Sequence, residues 1–336
     1  MTESPAGPRV SVIVPARDAA ATLERTLASL AGQELDEPFE VIVVDDGSAD
    51  ETPQIAGRHA PLVRLVRNAE SGGAGAARNR GALEARAPVL AFTDADCFAT
   101  PGWLASGLSE LARADLVQGR VEPDPTQPRT PFDRTLAVND HGAFYPTANL
   151  FVRRDAFESV GGFRDWVLDH AGDRGSRDRR HSREMRQPIG EDTLFAWNAR
   201  RLGARSAFAP DAVVHHAVVP GVLLDKMKDH WHWATYMPAL ARLVPEIRDG
   251  AFEHRVFFNV TTARFHLALA GVLASAATGR KGWLIATVPY VRYLAREGRR
   301  WGPRGASAYV VGTPLVDAAT VAGLLRGSVR SRCLVL

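Results

Sequence analysis

Up to Thr93 the chain alternates short apolar runs with segments whose apolar residues recur at helical spacing. Arg9-Val10-Ser11-Val12-Ile13-Val14 is β-branched and stopped by Pro15, and Phe39 to Val44 is a second such run, stopped by Asp45-Asp46-Gly47-Ser48. Between them Leu23, Leu27 and Leu30 share one face of a helix predicted over Ala20 to Leu30, because residues three and four apart stack on the same side. Leu62 to Val66 and Val89 to Thr93 repeat the strand pattern, with a helix predicted over Ala74 to Ala85 between them. Strand, helix and strand in that order require a right-handed crossover. The pattern therefore predicts an α/β fold with a mostly parallel sheet flanked by helices.

Beyond a helix predicted over Pro101 to Ala112 the alternation weakens. Val121 to Pro131 contains Pro123, Pro125, Pro128 and Pro131 and predicts a loop crossing the sheet edge. Asp169 to Gln187 has almost no apolar content and predicts a mobile loop able to close over a ligand. Glu191 to Leu202 returns to helical spacing, with Phe195, Ala199 and Leu202 on one face and Gly203 placed to end it. The later apolar runs, Leu267 to Gly279, Gly282 to Val291 and Gly305 to Val316, are each shorter than the ~20 residues that cross a bilayer. No segment is expected to span one.

Composition leaves this picture intact: 336 residues, 46% hydrophobic and 24% charged, make one large or two modest globular domains, neither disordered nor polytopic. Cys97 and Cys333 lie far apart without CxxC or Cys/His spacing, which argues for reduced thiols and against a disulfide framework or structural zinc. Met1 to Arg9 has no apolar stretch behind a basic one, so no secretory signal is expected and a cytoplasmic location is. Charge does change the picture. The net +3 is uneven: from Arg264 onward the balance is +9, leaving about −6 elsewhere. A basic, apolar C-terminal part fits an anionic membrane surface, or an ordinary helical subdomain with a solvated basic face; no nucleic-acid motif accompanies it.

Open parallel sheets bind ligands beyond the carboxyl ends of their strands. Three such ends are acidic: Pro15-Ala16-Arg17-Asp18, Asp45-Asp46-Gly47-Ser48 and Asp94-Ala95-Asp96. Gathered carboxylates repel one another unless a cation or separate partners neutralise them. Asp94 and Asp96 can share a divalent ion, Mn²⁺ or Mg²⁺, with phosphate oxygens, although an acidic turn alone has the same sequence. Asp45-Asp46-Gly47-Ser48 alone also suits a turn before a helix. Gly72-Gly73-Ala74-Gly75-Ala76-Ala77-Arg78 looks like a dinucleotide fingerprint but follows the third strand instead of the first, which disfavours a nicotinamide dehydrogenase. Its glycines allow close approach to a ligand with Arg78 supplying charge, or simply cap the helix. His230 and His232, interleaved with Trp231 and Trp233, match no metal pattern and are expected on a surface or in an acceptor groove.

Taken in order, Val10 to Arg17, Val41 to Thr52, Gly75 to Gly81, Thr93 to Asp96, Gly161-Gly162-Phe163, Gly190-Glu191-Asp192 and Pro210 to His216 resemble family 2 glycosyltransferases with the Rossmann-like GT-A fold. The resemblance covers roughly Arg9 to His216 and implies an inverting enzyme that uses a metal-bound nucleotide-diphosphate sugar. It implies that Pro15, Ala16, Arg17, Asp45 and Asp46 line the base and ribose pocket, that Arg78, Asp94 and Ala95 approach the donor, and that Asp94, Asp96 and His216 hold the metal. Asp192 matches the family's general base. The offset from Pro210 favours His216 over His215, with a hydrogen-bonded structural histidine as the alternative. Residues 1–220 would form the nucleotide-sugar-binding catalytic domain and 221–336 a mainly helical, basic, membrane-associating region. The expected partners are a nucleotide-sugar donor, a glycan or lipid-linked acceptor and an anionic membrane surface, with the protein peripheral on the inner face of the cell membrane. The family often has another acid shortly after the Glu-Asp pair, whereas Thr193-Leu194 follows here. A sugar nucleotidyltransferase is the competing enzyme reading, but it would open with a glycine-rich basic loop after strand one. A non-catalytic nucleotide-sugar-binding membrane scaffold is the competing reading of another class.

Overall fold

The computed structural model describes residues 7–164 and 190–336; the loop expected at Asp169 to Gln187 lies outside the described residues. The chain divides into two compact units, the first drawn from residues up to 127, 135–164 and 190–217, the second from 128–134 and 218–336.

The first unit holds one eight-stranded sheet. Its strands are β1 (Val10–Ala16), β2 (Phe39–Asp45), β3 (Val63–Arg67), β4 (Val89–Thr93), β5 (Cys97–Ala99), β6 (Leu116–Pro123), β7 (Asn149–Arg153) and β8 (Ser206–His216), in the order β3-β2-β1-β4-β7-β6-β8-β5. The helices are α1 (Leu23–Ala31), α2 (Thr52–Arg58), α3 (Ala74–Glu84), α4 (Trp103–Glu110), α5 (Arg154–Val160) and α6 (Glu191–Arg201). Alternation along β1 explains the layering. Val10, Val12 and Val14 pack with Leu23, Leu27 and Leu30 of α1, while Ile13 packs with Ala77, Phe92 and Phe195 on the other face. Each fully buried Leu or Val contributes about 1.5–3 kcal/mol, so both faces must be covered.

β1, β2, β3 and β4 pair in parallel, as the alternation predicts, but the sheet as a whole is mixed. β7 runs antiparallel to both β4 and β6, β5 runs antiparallel to β8, and β6 and β8 are parallel. The loop expected from Val121 begins later, because β6 continues to Pro123, which pairs with His216 at the strand end where a missing amide costs least. The turn follows at Asp124, whose buried carboxylate accepts from Thr126 and from Arg25 of α1. Between Gly119 and Arg120 the β6–β8 ladder shifts register, and Asn149 Nδ2 donates to the Arg120 and Ala212 carbonyls, each at 2.8 Å. A Cβ on Gly119 would lie 2.3 Å from that amide, so glycine is required there.

The second unit is helical: α7 (Leu223–Leu243), α8 (Ile247–Gly250), α9 (Val260–Thr278), α10 (Val288–Gly298) and α11 (Gly302–Ser331), with 3-10 turns at Lys281–Thr287 and Arg299–Trp301. α11 packs closely on α7. A Cβ on Gly323 would come 2.6 Å from the Trp231 carbonyl oxygen, and one on Gly327 would come 2.3 Å from that of Thr235. The expectation that no segment is long enough to cross a bilayer is corrected: by length and composition α9 and the helical stretch Lys281–Ser331 both are. The short runs join because α9 starts at Val260 behind an Asn259–Thr262 capping box and continues through Arg264 and His266, while Pro314 does not break α11.

Candidate active site

β1, β2 and β4 are parallel neighbours, so their acidic carboxyl ends emerge along one edge. Asp45, fully buried, accepts from Ser48 N at 3.0 Å and from Arg67 Nε at 2.9 Å. Asp46 Oδ1 accepts from Asn68 Nδ2 (2.9 Å) and Gly72 N (3.0 Å), and its Oδ2 from Ser71 Oγ (2.7 Å) and Gly73 N (2.8 Å). Burial works against the Asp46 charge, but these four donors outweigh it and hold the carboxyl below its usual range. Each oxygen already serves two donors. Asp46 thus shapes the Asn68–Gly73 loop, and Asp45 fixes the turn beneath it. The exposed surface at this edge comes instead from Arg17, half exposed, whose Nη1 donates to Ser71 Oγ at 2.9 Å. Pro15 is partly exposed, and buried Ala16 accepts from Asp46 N at 2.8 Å.

The Asp94-Ala95-Asp96 turn leaves β4 with both acids partly exposed and Ala95 buried, its carbonyl accepting from Thr26 Oγ1 of α1 at 2.8 Å. Arg78 on α3 is buried and bridges two acids: Nη2 donates to Asp94 Oδ1 at 2.7 Å and Nη1 to Glu191 Oε1 at 3.1 Å. Gly75 faces Glu191 and Phe163, where a Cβ would make ordinary contact at 3.5 Å with each. Asn79 clamps Phe163 through its backbone N–H (2.9 Å) and carbonyl (2.8 Å), which ties Gly161-Gly162-Phe163 to α3. Glu191 had no assigned role in the sequence, because nothing in a linear pattern pairs it with an arginine 113 positions earlier.

Asp192 opens α6 beside Glu191, is partly exposed, and accepts from Thr193 N at 2.7 Å. Burial raises its carboxyl to about 6, against the pull of the Thr193 amide and Arg78. Burial and the Asp192 charge likewise raise Glu191, with Arg78 opposing. The pair therefore binds protons more tightly than free carboxylates do.

At the other sheet edge the β5–β8 register sets Cys97 opposite His216 and Phe98 opposite His215. His216 Nε2 lies 3.6 Å from Asp96 Oδ2, whereas His215 reaches toward Glu122 at 3.9 Å. His216 Nδ1 is 2.8 Å from the Ala217 carbonyl, which can only accept, so Nδ1 carries a proton and Nε2 is the nitrogen turned toward Asp96. The ligand atoms of Asp96, Cys97 and His216 all lie within 4.8 Å of one another. Burial raises the Asp96 carboxyl, His216 opposes that shift, and Asp94, a second carboxylate at this turn, adds to it. These donors suit a divalent cation. Sequence reasoning passed over Cys97 as a bland thiol. His230, by contrast, is 3.1 Å from Thr320 Oγ1 within the helical unit and is structural.

Comparison with known proteins identifies the family and the fold. The family model for glycosyl transferase family 2 matches residues 11–164. The glycosyltransferase AglE of Haloferax volcanii is 30% identical over 234 residues, covering 65% of this chain and 70% of that protein. The pre-mycofactocin glycosyltransferase of Mycobacterium tuberculosis is 29% identical over 233 residues, and the match spans only 44% of its length. A mannosyltransferase from Pyrobaculum calidifontis, solved with GDP-Man and Mn²⁺, shares the fold at a TM-score of 0.51 and 21% identity, covering 97% of this chain and 87% of that one. With its GT-A architecture and this level of likeness to curated glycosyltransferases, the chain belongs to glycosyl transferase family 2.

Proposed function

We propose that the enzyme transfers a sugar from a metal-bound nucleotide-diphosphate sugar to an acceptor hydroxyl with inversion. The observation that carries this reading is the approach of His216 Nε2 to Asp96 beside an Asp94 that Arg78 links to the Glu191-Asp192 helix start. A divalent ion held by Asp96 and His216, with Asp94 assisting, would neutralise the charge that grows on the diphosphate leaving group. Mn²⁺ or Mg²⁺ suits the carboxylate and imidazole donors, and the Pyrobaculum protein carries Mn²⁺. Arg17, Pro15, Ala16 and the Asp46-shaped loop would receive the nucleoside.

Asp192 would take the proton of the acceptor hydroxyl. A carboxyl raised to about 6 is still ionised at neutral pH, yet is a stronger base than an exposed aspartate. Arg78 orients it indirectly by gripping Glu191, one residue away on the same helix turn. A single displacement from the face opposite the leaving diphosphate inverts the anomeric centre. The reading is tested by NMR of the product formed from a panel of nucleotide sugars: inversion with release of a nucleoside diphosphate is expected. Retention of configuration, or pyrophosphate release from a nucleoside triphosphate and a sugar phosphate, would overturn it.

The acceptor is a glycan or lipid-linked molecule at the cytoplasmic face of an anionic membrane in this reading. Its support is the second unit, where Leu273 (59%), Trp283 (50%) and Ile285 (77%) are exposed beside Arg280 and Lys281. Exposed apolar side chains next to cations and tryptophan suit the headgroup boundary. The full chain is expected to float with anionic liposomes and to lose most of that association as salt rises, each basic residue near the surface contributing about 1 kcal/mol. Equal partitioning into neutral vesicles would remove the electrostatic part, and no association at low salt would end the proposal.

A further inference from the structure

We propose that Cys97 is a third protein ligand of the metal site, so that the site accepts thiophilic divalent ions such as Zn²⁺ and Co²⁺ in preference to Mn²⁺ and Mg²⁺. This rests on the assignment of Asp96 and His216 as metal-holding residues made above.

The ladder creates the juxtaposition. Cys97 and His216 are directly opposed in an antiparallel pair, and opposed residues project to the same face of a sheet with Cβ atoms about 4.5–5.5 Å apart. Asp96 precedes Cys97 in the turn, and its main chain is pinned to β8 by Ala217 N donating to the Asp96 carbonyl at 2.9 Å. The imidazole and carboxylate are partly exposed, while the thiol is buried.

The separations bring the three donors close to coordination distance. Tetrahedral zinc with bonds of about 2.3 Å to sulfur and about 2.0–2.2 Å to nitrogen and oxygen places its ligands roughly 3.4–3.6 Å apart. Asp96 Oδ2 and His216 Nε2 are 3.6 Å apart, and Cys97 Sγ is 4.0 Å from Asp96 Oδ1. Cys97 Sγ and the His216 nitrogen lie within 4.8 Å of each other, so side-chain shifts of about 1 Å would complete the set. Binding breaks the Cys97 S–H bond, forms the metal–sulfur bond and passes the proton to solvent. Three protein ligands leave one tetrahedral position for a phosphate oxygen, the arrangement of an open zinc site. Mg²⁺ and Mn²⁺ gain little from a thiolate, so they would use Asp96 and His216 and leave the thiol protonated. The competing description is that Cys97 only fills the core with Val14 and Trp103.

The test uses the full chain carrying Cys333→Ser, in which Cys97 is the sole thiol. Titration with Co²⁺ is expected to give a sulfur-to-cobalt charge-transfer absorption in the near ultraviolet at one ion per chain, and Zn²⁺ should displace it. Adding Cys97→Ser should abolish the band and weaken Zn²⁺ binding by at least ~10-fold, the lower end of what losing even an outer-shell partner costs. Mn²⁺ binding, followed by electron paramagnetic resonance, should persist and thereby report that the variant is folded. If the variant fails to fold, the presence or absence of the band in the single-thiol parent decides. Co²⁺ that competes with Mn²⁺ yet gives no such band, or an unchanged Zn²⁺ preference in Cys97→Ser, overturns the thiolate ligand alone. Failure of both Mn²⁺ and Co²⁺ to bind overturns this proposal together with the metal-site reading.

Discussion

Asp192→Asn is expected to lower turnover by about 10²- to 10⁴-fold while leaving nucleotide-sugar affinity close to that of the parent. The amide keeps the shape of the side chain and can still accept from Thr193 N, so α6 should start as before. What it loses is the ability to take a proton. The pH dependence provides an independent check. Because burial raises the Asp192 carboxyl to about 6, the base is protonated below that value and ionised above it. Activity at limiting substrate should therefore fall as pH drops through about 6, instead of near 4 as for an exposed aspartate. An acid limb near 4, or a loss of donor affinity matching the loss of turnover, would assign Asp192 to structure or to donor contact.

Asp96→Ala is expected to have a comparable effect, on the order of 10²- to 10³-fold in turnover for the loss of leaving-group stabilisation, and to weaken metal-dependent nucleoside diphosphate binding in parallel. Asp94 is poorly placed to compensate. One of its oxygens already holds Arg78 at 2.7 Å, and releasing it would leave a buried guanidinium facing Glu191 alone. Among the described residues Arg78 Nε has no partner even in the intact arrangement, which makes the bridge intolerant of further loss. Undiminished activity in Asp96→Ala, or in the parent with EDTA, would rule out the metal role.

The parallel strands were legible because buried β-branched runs separated by helical spacing leave few alternatives. Strand direction beyond β4 was not legible: periodicity marks Asn149–Arg153 as a strand but says nothing about its antiparallel pairing with β4 and β6. Prolines misled at Val121 to Pro123 because a proline at a strand end forfeits no necessary ladder bond. The family resemblance implied that Asp45 and Asp46 line the base and ribose pocket. Their bonding to Ser48, Arg67 and the Asn68–Gly73 loop is a tertiary fact that no motif encodes. The same holds for Glu191, drawn into the site only by Arg78, and for Cys97, set beside His216 only by the β5–β8 register. In the C-terminal unit charges interrupted the apolar runs on paper, while the backbone carries helix α9 straight through Arg264 and His266.

The central claim, a metal-dependent nucleotide-sugar site built on Asp96 and His216, is tested most directly by calorimetry of a nucleotide-sugar panel against the full chain with Mn²⁺ and then with EDTA. At least one donor is expected to bind with Mn²⁺, to lose most of its affinity in EDTA, and to bind Asp96→Ala weakly under both conditions. Binding of equal strength with and without the metal, or unaltered by Asp96→Ala, would contradict it.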